Sequence, residues 1–297
     1  MNIQQLTIFV SVVELKTLRR VAEQLNIQQP TVHFHLKKLE QQYPFPLFKS
    51  NYSKTLALTN EGTALYQQAK QILMLVDKTN RLMEEYSEKR TGSLLLGSTY
   101  TPATYMILPA LRDFKRRYPN AHLSVEVKPA TILLKKIRNF EIDMAIVSYS
   151  ELMDKDIVAE KLVKDDLQLI LNPNDPLTKK QNLTVKDFNN QPFILHEKGS
   201  LSRQLIDEWV SENNIHLREL MELSSTETMK EAVKNELGMA IVSESCFIEE
   251  KRKGELVSRV LPAFGLNRHI YITYHKKQIV TPIMKDFLHI LKKQPFR

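Results

Sequence analysis

Residues 17–40, TLRRVAEQLNIQQPTVHFHLKKLE, read as two short helices joined by a tight turn, the layout that sets one helix into a DNA major groove. Leu18, Val21, Ala22 and Leu25 step at helical spacing, as do Val32, Leu36, Leu39 and Tyr43, and Leu6, Phe9, Val10 and Val13 add a third stripe upstream. Three helices with one apolar face each make a small common core. Thr17 suits the N-cap of the second helix, Asn26 the turn, and Pro30 the first turn of the third, where its missing N–H is not needed. The outer side of the third helix then carries Thr31, His33, Phe34, His35, Lys37 and Lys38, with Gln29 at its start and Arg19 on the helix before. Gln29, Pro30, Thr31, His33, Phe34, Lys37, Lys38 and Arg19 are the candidate DNA contacts, because they supply hydrogen-bonding, aromatic and cationic groups for base edges and phosphates. Amphipathic helix triplets also occur in all-α cores that touch no nucleic acid, and this segment alone leaves that reading open.

Charge favours the nucleic-acid reading. The chain of 297 residues carries a net charge of +8, and residues 1–60 hold seven Lys/Arg against three acids, 7 − 3 = +4. Half of the excess therefore lies in a fifth of the chain. The length allows two or three domains, and 42% hydrophobic with 26% charged residues is the composition of an ordinary globular protein. The lone Cys246 excludes an intramolecular disulfide, fits a reducing compartment and reads as a small buried side chain. No apolar run approaches the roughly 20 residues that span a bilayer, so no membrane partner is expected and the cytoplasm is the expected location.

Downstream, Pro44 and Pro46 stop the third helix, and Leu47 to Leu58 alternates about Asn51-Tyr52-Ser53, a small β-hairpin or wing. Lys49 and Lys54 reach the phosphates if this wing lies beside the duplex, and are merely solvated if it does not. Thr59 then caps a long helix to about Lys89. In it Leu65, Ala69, Ile72, Val76, Thr79, Met83 and Tyr86 are spaced 4, 3, 4, 3, 4, 3, a heptad seam. Leu65, Ala69, Ile72, Val76 and Met83 are the candidate dimerisation residues, with packing on the chain's own domain as the alternative. His33 and His35 lie two apart on a helix and face different ways, so no metal is expected there.

The stretches MNIQQLTIFVSVVE, RRVAEQLNIQQPTV, KKLEQQYPFPLFK and LALTNEGTALYQQAKQIL together resemble the N-terminal domain of the LysR-type transcriptional regulators. The family usually begins the third helix with Ser-Gln-Pro followed by Ser and often Arg, whereas this chain has Gln28-Gln29-Pro30 and then His33-Phe34-His35. The resemblance implies that Gln29, Thr31, His33 and Phe34 lie where the family reads bases.

Beyond Thr91-Gly92 strands alternate with amphipathic helices: a strand at Leu94 to Ser98, a helix at Ala103 to Tyr118, a strand through Leu123, Val125 and Val127, a helix at Ile132 to Phe140 and a strand at Met144 to Ser148. This order predicts α/β units on a mostly parallel sheet. Met144-Ala145-Ile146-Val147-Ser148 recurs as Met239-Ala240-Ile241-Val242-Ser243, each run fed by an amphipathic helix, so two lobes of one construction are expected. The fold class is thus multidomain α/β: a winged helix-turn-helix over 1–58, a linker and dimerisation helix over 59–90, and a two-lobed effector domain over 91–297. The resemblance implies one lobe at about 92–164 and 268–297, the other at about 165–267, and an effector in the cleft between them. Ser98, Thr99, Thr101, Ser148, Ser200, Ser202, Arg203 and Thr226 are the candidate effector contacts. Hydroxyls at helix starts suit a small anion such as a carboxylate, and equally serve as plain N-caps.

No Gly-rich phosphate loop, G-x-S-x-G, H-E-x-x-H or zinc-spaced Cys pair is present, so neither an enzyme nor a cofactor is expected. The expected partners are double-stranded DNA, a small-molecule effector, further copies of the chain as dimer or tetramer, and RNA polymerase if the protein activates. A small-molecule binding protein or enzyme whose N-terminal domain serves only assembly, and a non-specific architectural DNA-binding protein, are the competing classes.

Overall fold

The computed structural model describes residues 1–49, 57–85, 92–265 and 268–295. They form two compact units, Met1–Ser87 and Glu88–Arg297.

In the first unit the three apolar stripes become α1 (Ile3–Leu15), α2 (Leu18–Gln24) and α3 (Gln29–Glu40). A reciprocal cap starts α1: Gln5 N donates to Asn2 Oδ1 (2.9 Å) and Asn2 N to Gln5 Oε1 (3.0 Å). Thr17 accepts from Arg20 N ahead of α2, and Asn26 takes φ +51° in the turn, the left-handed region that asparagine tolerates. Leu6, Phe9, Val12, Val21, Val32, Leu36 and Leu39 meet in one core, to which Leu47 and Phe48 add the first arm of the wing. Phe48 pairs with Leu58 across an antiparallel bridge, and Glu40 accepts from Leu47 N at 3.0 Å, fixing where that arm begins. The tip of the expected wing, with Lys54, lies outside the described residues.

Thr59 caps α4 (Asn60–Glu85) by accepting from Gly62 N at 2.9 Å. The heptad seam on α4 divides in two. Ala69 is fully buried in the chain's own helix-turn-helix core, and Leu65 and Ile72 pack against it. Tyr66 and Lys70 hold Glu14 of α1 at 3.0 and 3.1 Å from the same side. Ala69 is therefore spent within the monomer, and Leu65 and Ile72 pack partly on the chain's own domain, the alternative to a partner subunit. Among the described residues the later part of the seam is more open, with Val76 half-buried and Met83 56% exposed, and Leu75 beside it is 46% exposed.

The second unit runs β1 (Ser93–Ser98), α5 (Tyr100–Tyr105), α6 (Leu108–Arg117), β2 (His122–Val127), α7 (Ala130–Arg138), β3 (Met144–Tyr149), β4 (Ile157–Lys164), β5 (Leu167–Leu171), β6 (Pro192–His196), α8 (Leu201–Glu212), β7 (Arg218–Leu223), α9 (Thr226–Lys234), β8 (Met239–Ser243), α10 (Ile248–Lys253), β9 (Val257–Arg259), β10 (His269–His275) and α11 (Pro282–Lys292). The single helix expected over 103–118 is instead α5 and α6. Pro109 offers no N–H, and inside a continuous helix its ring would strike the Tyr105 carbonyl, so the first helix ends there and Pro109 opens the second.

Two five-stranded sheets have the same construction, β2-β1-β3-β10-β4 and β7-β6-β8-β5-β9. Each is mixed rather than mostly parallel. The first three strands of each order are parallel, while β10 and β5, the strands that carry the chain between lobes, run antiparallel to both neighbours. The repeated Met-Ala-Ile-Val runs explain the layering. Met144 and Ile146 point to the core under α6 and α11, with Phe114 and Phe287, while Ala145 and Val147 point to the core under α7, with Leu133 and Ile137. Met239 and Ile241 likewise face Trp209 of α8, and Ala240 and Val242 face Met229 and Val233 of α9. Strands buried on both faces read as unbroken apolar runs.

Candidate functional site

Two surfaces carry the residues singled out from the sequence. On α3, Val32, Leu36 and Leu39 are buried, which turns His33, Phe34, Lys37 and Lys38 to the exterior, with Gln29 and Pro30 exposed at the helix start and Thr31 half-buried. Phe34 is 52% exposed, its ring edge-on to His35 (5.5 Å between centroids) and beneath Lys38 Nζ, 4.6 Å from the centroid. A cation held over an exposed ring limits its rotamers and so presents it in one orientation. Arg19 extends from α2 on an exposed ion pair with Glu23 (3.0 Å), an arrangement too weak to withhold it from a phosphate. Lys49 is exposed at the end of the described wing arm.

The second surface is a cleft of about 650 Å³ between the two lobes of the C-terminal unit. Thr99, Thr101, Ser148, Ser200, Ser202 and Thr226 all line it. Ser98 and Arg203 do not. Ser98 is fully buried and donates to the Thr99 and Ile146 carbonyls at 3.0 and 3.3 Å, because alternation along β1 turns it into the sheet. Arg203 lies on the far side of α8, where Nε reaches Asp207 (2.9 Å), Nη2 Glu219 (2.9 Å) and Nη1 the His196 carbonyl (3.1 Å). Four groups that sequence reasoning passed over also line the cleft: Arg268, His196, Lys128 and Gln204.

Local structure fixes the hydroxyls. Thr99 Oγ1 accepts from Ser148 N at 3.0 Å, tying the loop after β1 to the end of β3. Ser200 Oγ accepts from Arg203 N (3.2 Å) and donates to the Glu197 carbonyl (2.9 Å), so its role as an N-cap is real whether or not it also meets a ligand. Across one rim Tyr105 of α5 donates to Glu227 of α9, and buried Lys230 joins Glu227 (3.0 Å), Glu250 (2.6 Å) and the Cys246 carbonyl (2.7 Å). This network ties the lobes together on that side.

At the base the chain crosses between lobes twice, at Asp165 and at Arg268. Their backbones pair, Asp165 N to Arg268 O at 2.9 Å, and their side chains form a buried ion pair, Arg268 Nη2 to Asp165 Oδ2 at 2.7 Å, with 4% and 3% exposure. The two serines that end the repeated strands converge on the same carboxylate. Ser148 Oγ lies 3.4 Å from Asp165 Oδ2, and Ser243 Oγ donates to Oδ1. His196 stands beside them with Nε2 3.1 Å from the Ile241 carbonyl. Burial, and secondarily the Arg268 charge, push its pKa down to about 4, so the ring is neutral and Nε2–H donates to that carbonyl. Cys246 is buried, and desolvation raises its thiol to about 11, which makes it inert.

Two family models cover the chain, "Bacterial regulatory helix-turn-helix protein, lysR family" over residues 3–63 and "LysR substrate binding domain" over residues 87–295. The chain belongs to the LysR family. It is a transcriptional regulator built from a helix-turn-helix domain and an effector-binding domain. Among its relatives is the HTH-type transcriptional activator CmpR of Synechocystis sp., 27% identical over 98% of this chain and 94% of that one. Full-length CbnR, solved in complex with its target DNA, shares the fold at TM-score 0.68 and 19% identity, covering 99% of both chains. The regulatory domain of Synechocystis PCC6803 CcmR, solved in complex with 2-PG, matches 68% of this chain and 96% of that domain at TM-score 0.61 and 25% identity. Such relatives are regulators of transcription rather than enzymes. Among the described residues no helix is long and apolar enough to cross a membrane.

Proposed function

We propose that this LysR-family regulator binds promoter DNA sequence-specifically through α3, and that a small anionic molecule in the interlobe cleft modulates that binding. The observation that carries this reading is the convergence of Thr99, Thr101, Ser148, Ser200, Ser202 and Thr226 on one cleft in a chain that also exposes Gln29, His33, Phe34, Lys37 and Lys38, with half-buried Thr31 beside them, on one helix. CbnR on its target DNA and the CcmR domain with 2-PG support the two halves of it. In this reading Arg19, Lys37, Lys38, Lys49 and Lys54 meet phosphates, which positions the helix, while Gln29, Thr31, His33 and Phe34 read base edges. Residues 1–58, 59–90 and 91–297 are the DNA-binding, linker and effector domains of a cytoplasmic, non-catalytic protein.

The end of α4, with Leu75 and Met83 exposed and Val76 half-buried, brings two copies together as a dimer or as half of a tetramer and spaces two reading helices for two half-sites. Effector binding shifts the balance between lobe arrangements, and the linker helices pass this on as a change in half-site spacing or DNA bend. If the protein activates, RNA polymerase is a further partner.

The test is fluorescence anisotropy with the DNA upstream of the protein's own gene and with a scrambled duplex of equal length, across a salt series. Tighter binding to the upstream DNA, with affinity falling steeply as salt rises, is expected. Equal affinity for both duplexes rules the reading out, as does binding indifferent to salt.

A further inference from the structure

Arg268 differs in kind from the hydroxyls that share the cleft with it. Its guanidinium is almost wholly buried at the second crossover, yet its donors are incompletely used. Nη1 donates to Ser202 Oγ (2.7 Å) in the first turn of α8. Nη2 lies close to Asp165 but off the line of a hydrogen bond, and Nε meets no acceptor among the described residues. Buried guanidinium N–H groups normally find acceptors; Arg268 borders the cleft with Nε and Nη2 themselves buried, so an anion reaches them only as the side chain turns from Asp165.

Asp165, in contrast, is over-supplied. Besides Arg268 it has Ser243 Oγ and Ser148 Oγ, one hydroxyl from each of the two equivalent strands β8 and β3. It can lose the guanidinium and remain hydrogen-bonded. Neutral His196 brings no charge of its own, and the rims add Lys128 and Lys198 against Glu197, a positive balance.

We propose that Arg268 is the anion receptor of the cleft, and that a carboxylate or phosphate on the effector competes with Asp165 for its guanidinium. This rests on the reading of the cleft as the effector site. Ligand recognition and the tie between lobes are then one event. As the anion takes Arg268, Asp165 falls back on Ser148 and Ser243, and the charge pairing that links the two crossover strands is exchanged for pairing with the ligand.

The test uses the full-length protein, with inorganic phosphate and glycolate as the two anion probes and erythritol as the neutral one, read by thermal shift and calorimetric titration. Wild type is expected to bind at least one anion. Arg268→Gln weakens that binding about ten- to a hundredfold, the worth of a charge-assisted hydrogen bond. Asp165→Asn, which releases the guanidinium, tightens it. R268Q strands the Asp165 carboxylate, so D165N/R268Q is made alongside; it leaves no unpaired charge and still loses the anion. Wild-type affinity in D165N/R268Q overturns the proposal, as does weaker binding in D165N. Anion binding that survives R268Q and falls in Lys128→Gln/Lys198→Gln overturns it while leaving the effector cleft intact, and so does a response to erythritol alone. A protein that responds to none of the probes overturns both readings.

Discussion

Replacing Gly62 with alanine sets two effects of opposite sign against each other. In a helix alanine is favoured over glycine by about 0.8–1.0 kcal/mol. At this position, however, the added Cβ would lie 2.0 Å from the Leu47 carbonyl oxygen and 3.1 Å from Leu58 Cδ2. The oxygen cannot give way cheaply, because it accepts from Thr59 N (3.0 Å) and Thr59 Oγ1 (3.2 Å). Relief requires the first turn of α4 to retreat. That sacrifices the Thr59 cap, worth about 1 kcal/mol, weakens the two bonds to Leu47 O at about 1 kcal/mol each, and adds overpacking strain of about 1–3 kcal/mol. The clash wins, and a net destabilisation of about 3–5 kcal/mol is expected. Trp209 is the only tryptophan and sits in the effector domain, so its fluorescence follows that domain alone while far-UV ellipticity follows all helices. In G62A the ellipticity melt should gain an early transition, lowered by roughly 10 °C or more for a unit of this size, with the Trp209 transition unmoved and DNA affinity reduced. An N-terminal unit in G62A as stable as wild type, or more stable, would refute the reasoning.

Three further outcomes follow from single residues. The folded His196 takes up a proton only near pH 4, the unfolded one at its ordinary 6.5, so unfolding binds a proton across that window. Stability at Trp209 is full above about pH 6.5 and falls by about 3 kcal/mol as pH drops to 4; His196→Gln should flatten this slope, and a parallel fall in both proteins would contradict it. Cys246, buried with its thiol raised to about 11, should react with a thiol reagent only as the lobe opens, and native modification as fast as that in urea would contradict this. In the proposed reading Phe34, held under Lys38, touches a thymine methyl. Uracil for thymine in the bound site should weaken wild type and not Phe34→Ala, whereas an equal loss in both assigns Phe34 no such contact.

Local features were legible in the sequence because they depend on near neighbours. The three stripes, the Thr17 cap and the Asn26 turn each reflect spacings of a few residues, the echo of Met-Ala-Ile-Val-Ser is written in five consecutive residues at each of its two places, and all appear in the fold. The break at Pro109 was equally local, but the helical pattern on both sides of it concealed it. The heptad seam of α4 was legible as a seam but not as to its cover: spacing says that a face must be covered, not by what, and the chain's own helix-turn-helix core takes part of its first half. Arg203 and Ser98 were misplaced because a helix start or strand end does not reveal which way its third or last side chain turns. Arg268 was missed for the opposite reason, since its partner Asp165 stands about a hundred residues away and neither belongs to a motif.

The interleaving of the two sheets also orders events during synthesis. β4 pairs only with β10, which also closes on β3, and α11 covers the core beneath them. The ribosome therefore delivers most of the first lobe early but must make the whole of the second before supplying its missing strand, 269 − 164 = 105 residues later. At 5–20 residues per second that interval is about 5–20 s. Throughout it the helix-turn-helix unit has all its own parts and the second lobe gains its strands one after another, while β3 and β4 wait with open edges. The nascent chain is thus most exposed to misassociation in the lobe translated first.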